Sequence, residues 1–166
     1  MRDNIVLIGM PGVGKSTLGV VLAKELGYEF IDADLLIQKQ ECRLLKEIIE
    51  EDGVDGFLDI ENQVNATILA SKAVIATGGS VIYGVEAMEH LKEIGTVVYL
   101  KLDYASLDSR LGCLKGRGVV LRDGQDLKAL YDERIPLYEK YADIIVDEGH
   151  MDLEETLKKV LLELSK

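Results

Sequence analysis

Nine residues near the start of the chain, Gly9 to Thr17, read GMPGVGKST and satisfy G-x-x-x-x-G-K-[ST]. They stand between an apolar run, NIVLIG, and a helix-period run, the setting in which this pattern wraps the phosphates of a nucleotide. Gly12 and Gly14 let backbone N–H groups of the loop, that of Val13 among them, turn toward phosphate oxygens. The helix opening at Lys15, Ser16 and Thr17 adds its positive end. Lys15 is suited to neutralise β- and γ-phosphate charge and the Ser16 hydroxyl to bind Mg²⁺. ATP or GTP with Mg²⁺ is therefore the expected ligand.

A second group of reactive side chains follows in FIDADLLIQ, where Asp32 and Asp34 end an apolar run. In an extended strand these positions point to one side, so the two carboxylates would face one space and raise each other's pKa. A cation or substrate between them relieves that repulsion. Asp32 is assigned to Mg²⁺, and Asp34 to the far side of the γ-phosphate, as a general base or a hydrogen-bond acceptor for a substrate hydroxyl. The plainer role for Asp34 is an N-cap of the helix that begins LLIQ. Gly78 and Gly79, in VIATGGSV, follow a third strand at the sheet edge where ligands of α/β proteins bind; a tight turn explains them almost as well.

The elements that must position these groups alternate. NIVLIG, YEFID, AVIATGG, GTVVYLKL and DIIVD read as strands, with helix-period segments between them. These include helical pieces to about Ala70, a stretch DLKALYDERIPLYEKY broken by Pro136, and a final amphipathic helix. The alternation predicts an α/β fold, a three-layer arrangement of about five parallel strands with helices on both faces. One domain spans 1–166, with an acceptor-binding helical segment at about 33–62. A segment at about 113–125, CLKGRGVVLRDGQ, reads as a lid with glycine hinges and basic tips, or as an ordinary surface loop.

The 166 residues carry a formal charge of -11, which argues against nucleic acid as a partner. Lys101 to Lys140 holds 8 basic and 7 acidic residues, leaving 11 and 23 elsewhere, so this segment is the place to hold an anion. Cys42 and Cys113 lack metal-ligand spacing and read as reduced packing residues. No run is long enough for a signal peptide or membrane span, so a cytoplasmic protein, a monomer or weak dimer without membrane attachment, is expected.

Together the loop GMPGVGKST, the DAD at 32–34, Glu61, VIATGGSV, VVYL, Arg110, Arg117 and ERIPLYEKYADIIVD resemble the shikimate kinase family over nearly the whole chain. The resemblance implies a P-loop fold of the nucleoside monophosphate kinase type and phosphoryl transfer from Mg·ATP to a hydroxyl of shikimate, giving shikimate 3-phosphate. It also implies Lys15 and Ser16 on ATP and Mg²⁺, Asp32 near the metal, and Asp34 on the substrate hydroxyl. Arg110 would pack on adenine, Arg117 would reach the transferring phosphate, and Arg134 with Gly79 would touch the acceptor. Without the resemblance, Arg110 and Arg134 read as parts of solvated helix faces.

The departures from the family pattern cluster on the acceptor side. GVDGFLDIE has Val54 for a Glu and Leu58 for the Arg that would grip the substrate carboxylate; Ser80 stands third in the glycine triplet, and Gly118 follows Arg117 in place of Pro. A bidentate Arg to carboxylate contact is worth about 2–5 kcal/mol when one partner is truncated. Arg134 alone would hold a carboxylate more weakly, unless a shift of one helical residue brings in Lys46. Glu61, without its Arg, is left to carry a proton or to hydrogen-bond a hydroxyl of a different acceptor. Other readings are a kinase of gluconate, homoserine or another hydroxy acid, a nucleoside monophosphate kinase, and a nucleotide-binding regulatory module. Arg43 as the sole arginine from Leu35 to Ala70 counts against the nucleoside monophosphate kinase.

Overall fold

A computed structural model describes residues 2–112 and 120–166. Its five strands are β1 (Asn4–Ile8), β2 (Glu29–Asp32), β3 (Ala73–Ala76), β4 (Gly95–Lys101) and β5 (Ile144–Asp147). They form one parallel sheet in the order β2-β3-β1-β4-β5. The helices are α1 (Lys15–Leu26), α2 (Ala33–Glu41), α3 (Leu45–Ala66), α4 (Val85–Ile94), α5 (Tyr104–Gly112), α6 (Leu127–Tyr141) and α7 (Leu153–Leu164). The chain leaves β1 toward one edge through α1 and crosses from β3 to β4 through α4 in the opposite direction. Right-handed crossovers of opposite direction put their helices on opposite faces. α1 accordingly packs with α7, while α4 and α6 approach β4.

β1 and β3 are fully buried, and such strands read as unbroken apolar runs rather than alternating ones. They form the floor of the main core with Leu18, Leu22, Met88, Leu91 and Val98. A second, smaller cluster of Ile37, Ile48, Phe57, Val64 and Val120 lies under α2 and α3. The α2–α3 segment is thus held by an apolar cluster of its own.

Register sets up the site. Ala76 lies opposite both Leu7 of β1 and Asp32 of β2. The chain leaving each strand, at Gly9, Ala33 and Thr77, therefore emerges along one edge. Thr77 clamps two of these ends by donating from N and Oγ1 to the Leu7 carbonyl, at 3.2 and 2.9 Å.

Four local expectations change. Strand β2 ends at Asp32, so Asp34 lies in the first turn of α2 and the alternation of an extended strand does not apply to it. The helical stretch expected to reach Ala70 ends at Ala66, with a kink at Gly53, whose φ is 74°. Pro136 does not break its helix: α6 runs through it for 15 residues, because a missing N–H removes one bond while Leu130, Arg134 and Tyr138 stay buried. Cys42 is not a packing residue; it is exposed and caps α2 in a left-handed conformation at φ 54°. Cys113, Lys115, Arg117 and most of the expected lid lie outside the described residues.

Candidate active site

The phosphate loop closes on the N-terminus of α1, whose N-cap is Gly14 at φ 93° and ψ 25°, a left-handed conformation that glycine adopts without a Cβ penalty. Lys15 follows, buried, with Nζ donating to the carbonyls of Gly9 at 2.7 Å and Met10 at 2.9 Å. Burial lowers its pKa to about 8, against a partial upward pull from Asp34. A phosphate beside it would restore the preference for the charged form.

Ser16 Oγ donates to Asp32 Oδ2 at 3.0 Å. The other oxygen of Asp32 accepts from the N–H groups of Asp34 (3.0 Å) and Leu35 (3.3 Å), so Asp32 is the N-cap of α2. The capping role considered for Asp34 belongs to Asp32. Asp34, free of that task, reaches the cavity wall. Its pKa is raised first by burial and second by Asp32, so like-charge repulsion contributes but does not lead.

A cavity of about 600 Å³ joins the two sides. Gly12, Gly14, Lys15, Ser16 and Thr17 line one end. Asp34, Glu61, Gly78, Gly79, Ser80 and Arg134 line the other. Val13, Asp32 and Arg110 are not on its wall. Arg110 lies on the outer flank of the loop, where Nη1 approaches the Val13 carbonyl at 3.4 Å and Glu148 Oε2 at 3.3 Å. Glu148 is buried, and burial pushes its pKa up against the pull of Arg110.

Arg134 is no solvated helix residue: it is 1% exposed. Nη2 donates to the Val120 carbonyl at 3.3 Å, the guanidinium lies over the Tyr83 ring at 5.5 Å, and Nε has no partner among the described residues. Among the described residues no carboxylate pairs with it. Burying a charge costs several kcal/mol unless it is compensated, and this guanidinium lies on the cavity wall with no such compensation among the described residues. Gly79 makes room for it: a Cβ there would lie 2.7 Å from Pro11 Cδ and 3.0 Å from Arg134 Nη1.

Leu58, at the position where an arginine was expected, packs with Val54 against the small apolar cluster and does not line the cavity. Glu61, 2% exposed, instead accepts at Oε1 from Ser80 Oγ at 2.6 Å. Lys46 does line the cavity and is exposed. Sequence reasoning missed Phe57 and Gln38 on the cavity wall and Tyr138 behind it. The buried hydroxyl of Tyr138 donates to the Gly79 carbonyl at 2.5 Å and fixes the glycine turn; burial raises its pKa and keeps it a donor. The available signals for Tyr138 were its place in the stretch ERIPLYEKY and its spacing of one helical turn from Arg134.

The family sequence model described as Shikimate kinase matches residues 11–165. A shikimate kinase of Thermodesulfovibrio yellowstonii is 36% identical over 166 residues, covering 98% of this chain and 95% of that protein. One of Clostridium botulinum (strain 657) is 42% identical over 161 residues, 93% of this chain and 92% of that protein. The structure of shikimate kinase from Acinetobacter baumannii in complex with shikimate superposes with a TM-score of 0.86 at 33% identity, covering 99% of this chain and 94% of that one. With a P-loop sheet, a shared cavity and matches of this extent, the chain belongs to the shikimate kinase family.

Proposed function

We propose that this chain transfers the γ-phosphoryl group of ATP to a hydroxyl of shikimate, giving shikimate 3-phosphate and ADP. The observation that carries the reading is the one cavity in which Lys15, Asp34 and Arg134, which has no carboxylate partner among the described residues, meet. One end suits phosphates, the other an anionic hydroxylated acceptor, and a carboxylate stands between them.

In this reading Arg134 and the Gly79 turn hold the acceptor carboxylate and direct a hydroxyl at Asp34. The hydroxyl oxygen bonds to the γ-phosphorus while the bond to the β,γ-bridging oxygen breaks. Asp34 takes the hydroxyl proton, and its raised pKa makes it a better base than an exposed aspartate. Lys15 and the N–H groups of Gly12, Val13 and Gly14 stabilise charge on the β- and γ-phosphates. Ser16 and Asp32 offer hard oxygen donors 3.0 Å apart beside Lys15, a pair that fits Mg²⁺. When bound there, Mg²⁺ would neutralise phosphate charge. The resemblance assigns Arg110 to adenine and Arg117, outside the described residues, to the transferring phosphate.

Leu58 leaves the acceptor carboxylate one arginine short, and Lys46 on the cavity wall is the cation placed to make up part of the difference. ADP release from Mg·ATP with and without shikimate tests the reading. Shikimate-dependent release is expected. Release that shikimate leaves unchanged, but that gluconate or homoserine accelerates, would overturn the choice of acceptor and keep the kinase.

A further inference from the structure

Glu148 is a buried acid that the transfer chemistry leaves unused. It follows β5 directly, on the sheet edge where the phosphate loop also emerges, and is 4% exposed. Its backbone is tied twice: the N–H donates to the Lys101 carbonyl at 2.9 Å, and the carbonyl accepts from the Met151 N–H at 2.8 Å. The carboxylate therefore has a fixed root. Burial works against its charge, while Arg110 first and Lys15 second work for it. Among the described residues the cation bonded to it is Arg110, through Nη1 on Oε2 at 3.3 Å. The Arg110 side chain is 40% exposed against 5% for that of Glu148, so the acid anchors the arginine.

The same nitrogen of Arg110 reaches the Val13 carbonyl at 3.4 Å. One guanidinium nitrogen thus joins three segments: the phosphate loop, the last turn of α5 and the chain after β5. The Val13 carbonyl lies just outside the ladder of α1, whose first bond runs from the Leu18 N–H to the Gly14 carbonyl, and among the described residues its partner is Arg110. In a planar trans peptide the C=O and the following N–H point in opposite directions. With the Val13 carbonyl turned to Arg110 on the outer flank, the Gly14 N–H is turned the other way, to the cavity that Gly14 lines.

We propose that Glu148 is a positioning residue for the nucleotide: it pins Arg110 against the Val13 carbonyl, and this keeps the Gly14 N–H aimed at the phosphates. The proposal rests on the nucleotide half of the reading above. An exposed arginine alone would serve poorly, because a long side chain at the surface keeps its rotamer freedom and exposed ion pairs hold it weakly. A buried carboxylate holds it more firmly, since stripping that carboxylate of its cation is costly.

The test is a double-mutant cycle on Mg·ATP binding, measured by calorimetry, for the wild type, Glu148→Gln, Arg110→Met and the double variant, each checked for folding by its thermal midpoint. Glu148→Gln keeps the shape and removes the charge, and should raise the Kd roughly tenfold. Arg110→Met should raise it at least as much, and the double variant should stay within about twofold of Arg110→Met. In turnover the ATP KM should follow the Kd, with the shikimate KM within about twofold of wild type. A Glu148→Gln Kd within about twofold of wild type would overturn the proposal. A double variant whose loss is the product of the two single losses does the same, because Glu148 then acts without Arg110. So does a shikimate KM that rises as much as the ATP KM. If Glu148→Gln does not fold, Arg110→Lys at the exposed end of the pair decides: it keeps the charge but replaces the planar fork with a mobile ammonium, and a Kd not raised by roughly tenfold overturns the proposal. A wild type that does not bind Mg·ATP removes the nucleotide reading and the proposal with it; shikimate-dependent turnover with an unresponsive variant series removes the proposal alone.

Discussion

The two ends of the cavity are made in different ways. The nucleotide end is contiguous: Gly9 to Thr17 supply backbone N–H groups, a left-handed N-cap at Gly14, and a lysine held by carbonyls of its own loop. The acceptor end is assembled from four separated stretches, at Asp34, Lys46 to Glu61, Gly78 to Ser80, and Arg134. Its recognition is by side chains, each set by different packing. A change at one acceptor position can therefore be absorbed by another element, since Glu61, without an arginine at 58, still has a partner in Ser80. In the proposed reading the loop has no such freedom, because its phosphate contacts are made by the backbone.

The sharpest way to separate the two ends is Asp34→Asn. General-base removal typically costs about 10²–10⁴-fold, and kcat should fall by that order while ATP binding, measured by calorimetry, stays within about twofold of wild type. Comparable loss of both would mean that Asp34 belongs to the nucleotide end. Next in size is Arg134→Ala. Losing a buried cation from a charged contact costs about 2–5 kcal/mol, so kcat/KM for the acceptor should drop by roughly 30-fold to several thousand-fold. Lys46→Ala, at an exposed position, should raise the acceptor KM only several-fold. Equal effects of the two would show that the carboxylate is shared evenly between them.

The same contrast explains what was legible in the sequence. Strand positions and sheet class followed from apolar runs, since buried parallel strands leave an unbroken signature, as in AVIA at Ala73–Ala76. The loop was legible because its chemistry depends on adjacent residues. Arg134 looked like a helix-face residue, and its burial became visible only once α6 was laid against Val120, Gly79 and Tyr83. The cap on α2 went to Asp32 because β2 ends one residue before the helix begins, a boundary that periodicity does not locate. Pro136 breaks a helix by a local rule, which burial of Leu130, Arg134 and Tyr138 on α6 outweighs. The Ser80 to Glu61 bond joins residues 19 apart and had no local signal.

The effect on stability distinguishes the two ends by sign. Glu61 has a pKa of about 7 in the folded chain against 4.5 as a free side chain. Between those values the folded state holds a proton that the unfolded state releases. Its contribution is full below pH about 4.5 and is lost as pH rises to about 7, an amount of about 3 kcal/mol. Lys15 stands at about 8 against 10.5. Between those values the unfolded state holds the extra proton, so Lys15 contributes stability that grows as pH rises. Thermal unfolding of Glu61→Gln should therefore match wild type near pH about 5 and exceed it near pH about 8 by roughly 5–10 °C. Lys15→Met should show its largest gain over wild type below pH about 8, shrinking toward pH about 10.5. A gain for Glu61→Gln that does not depend on pH would mean that the glutamine packs better, and that Glu61 is ionised throughout.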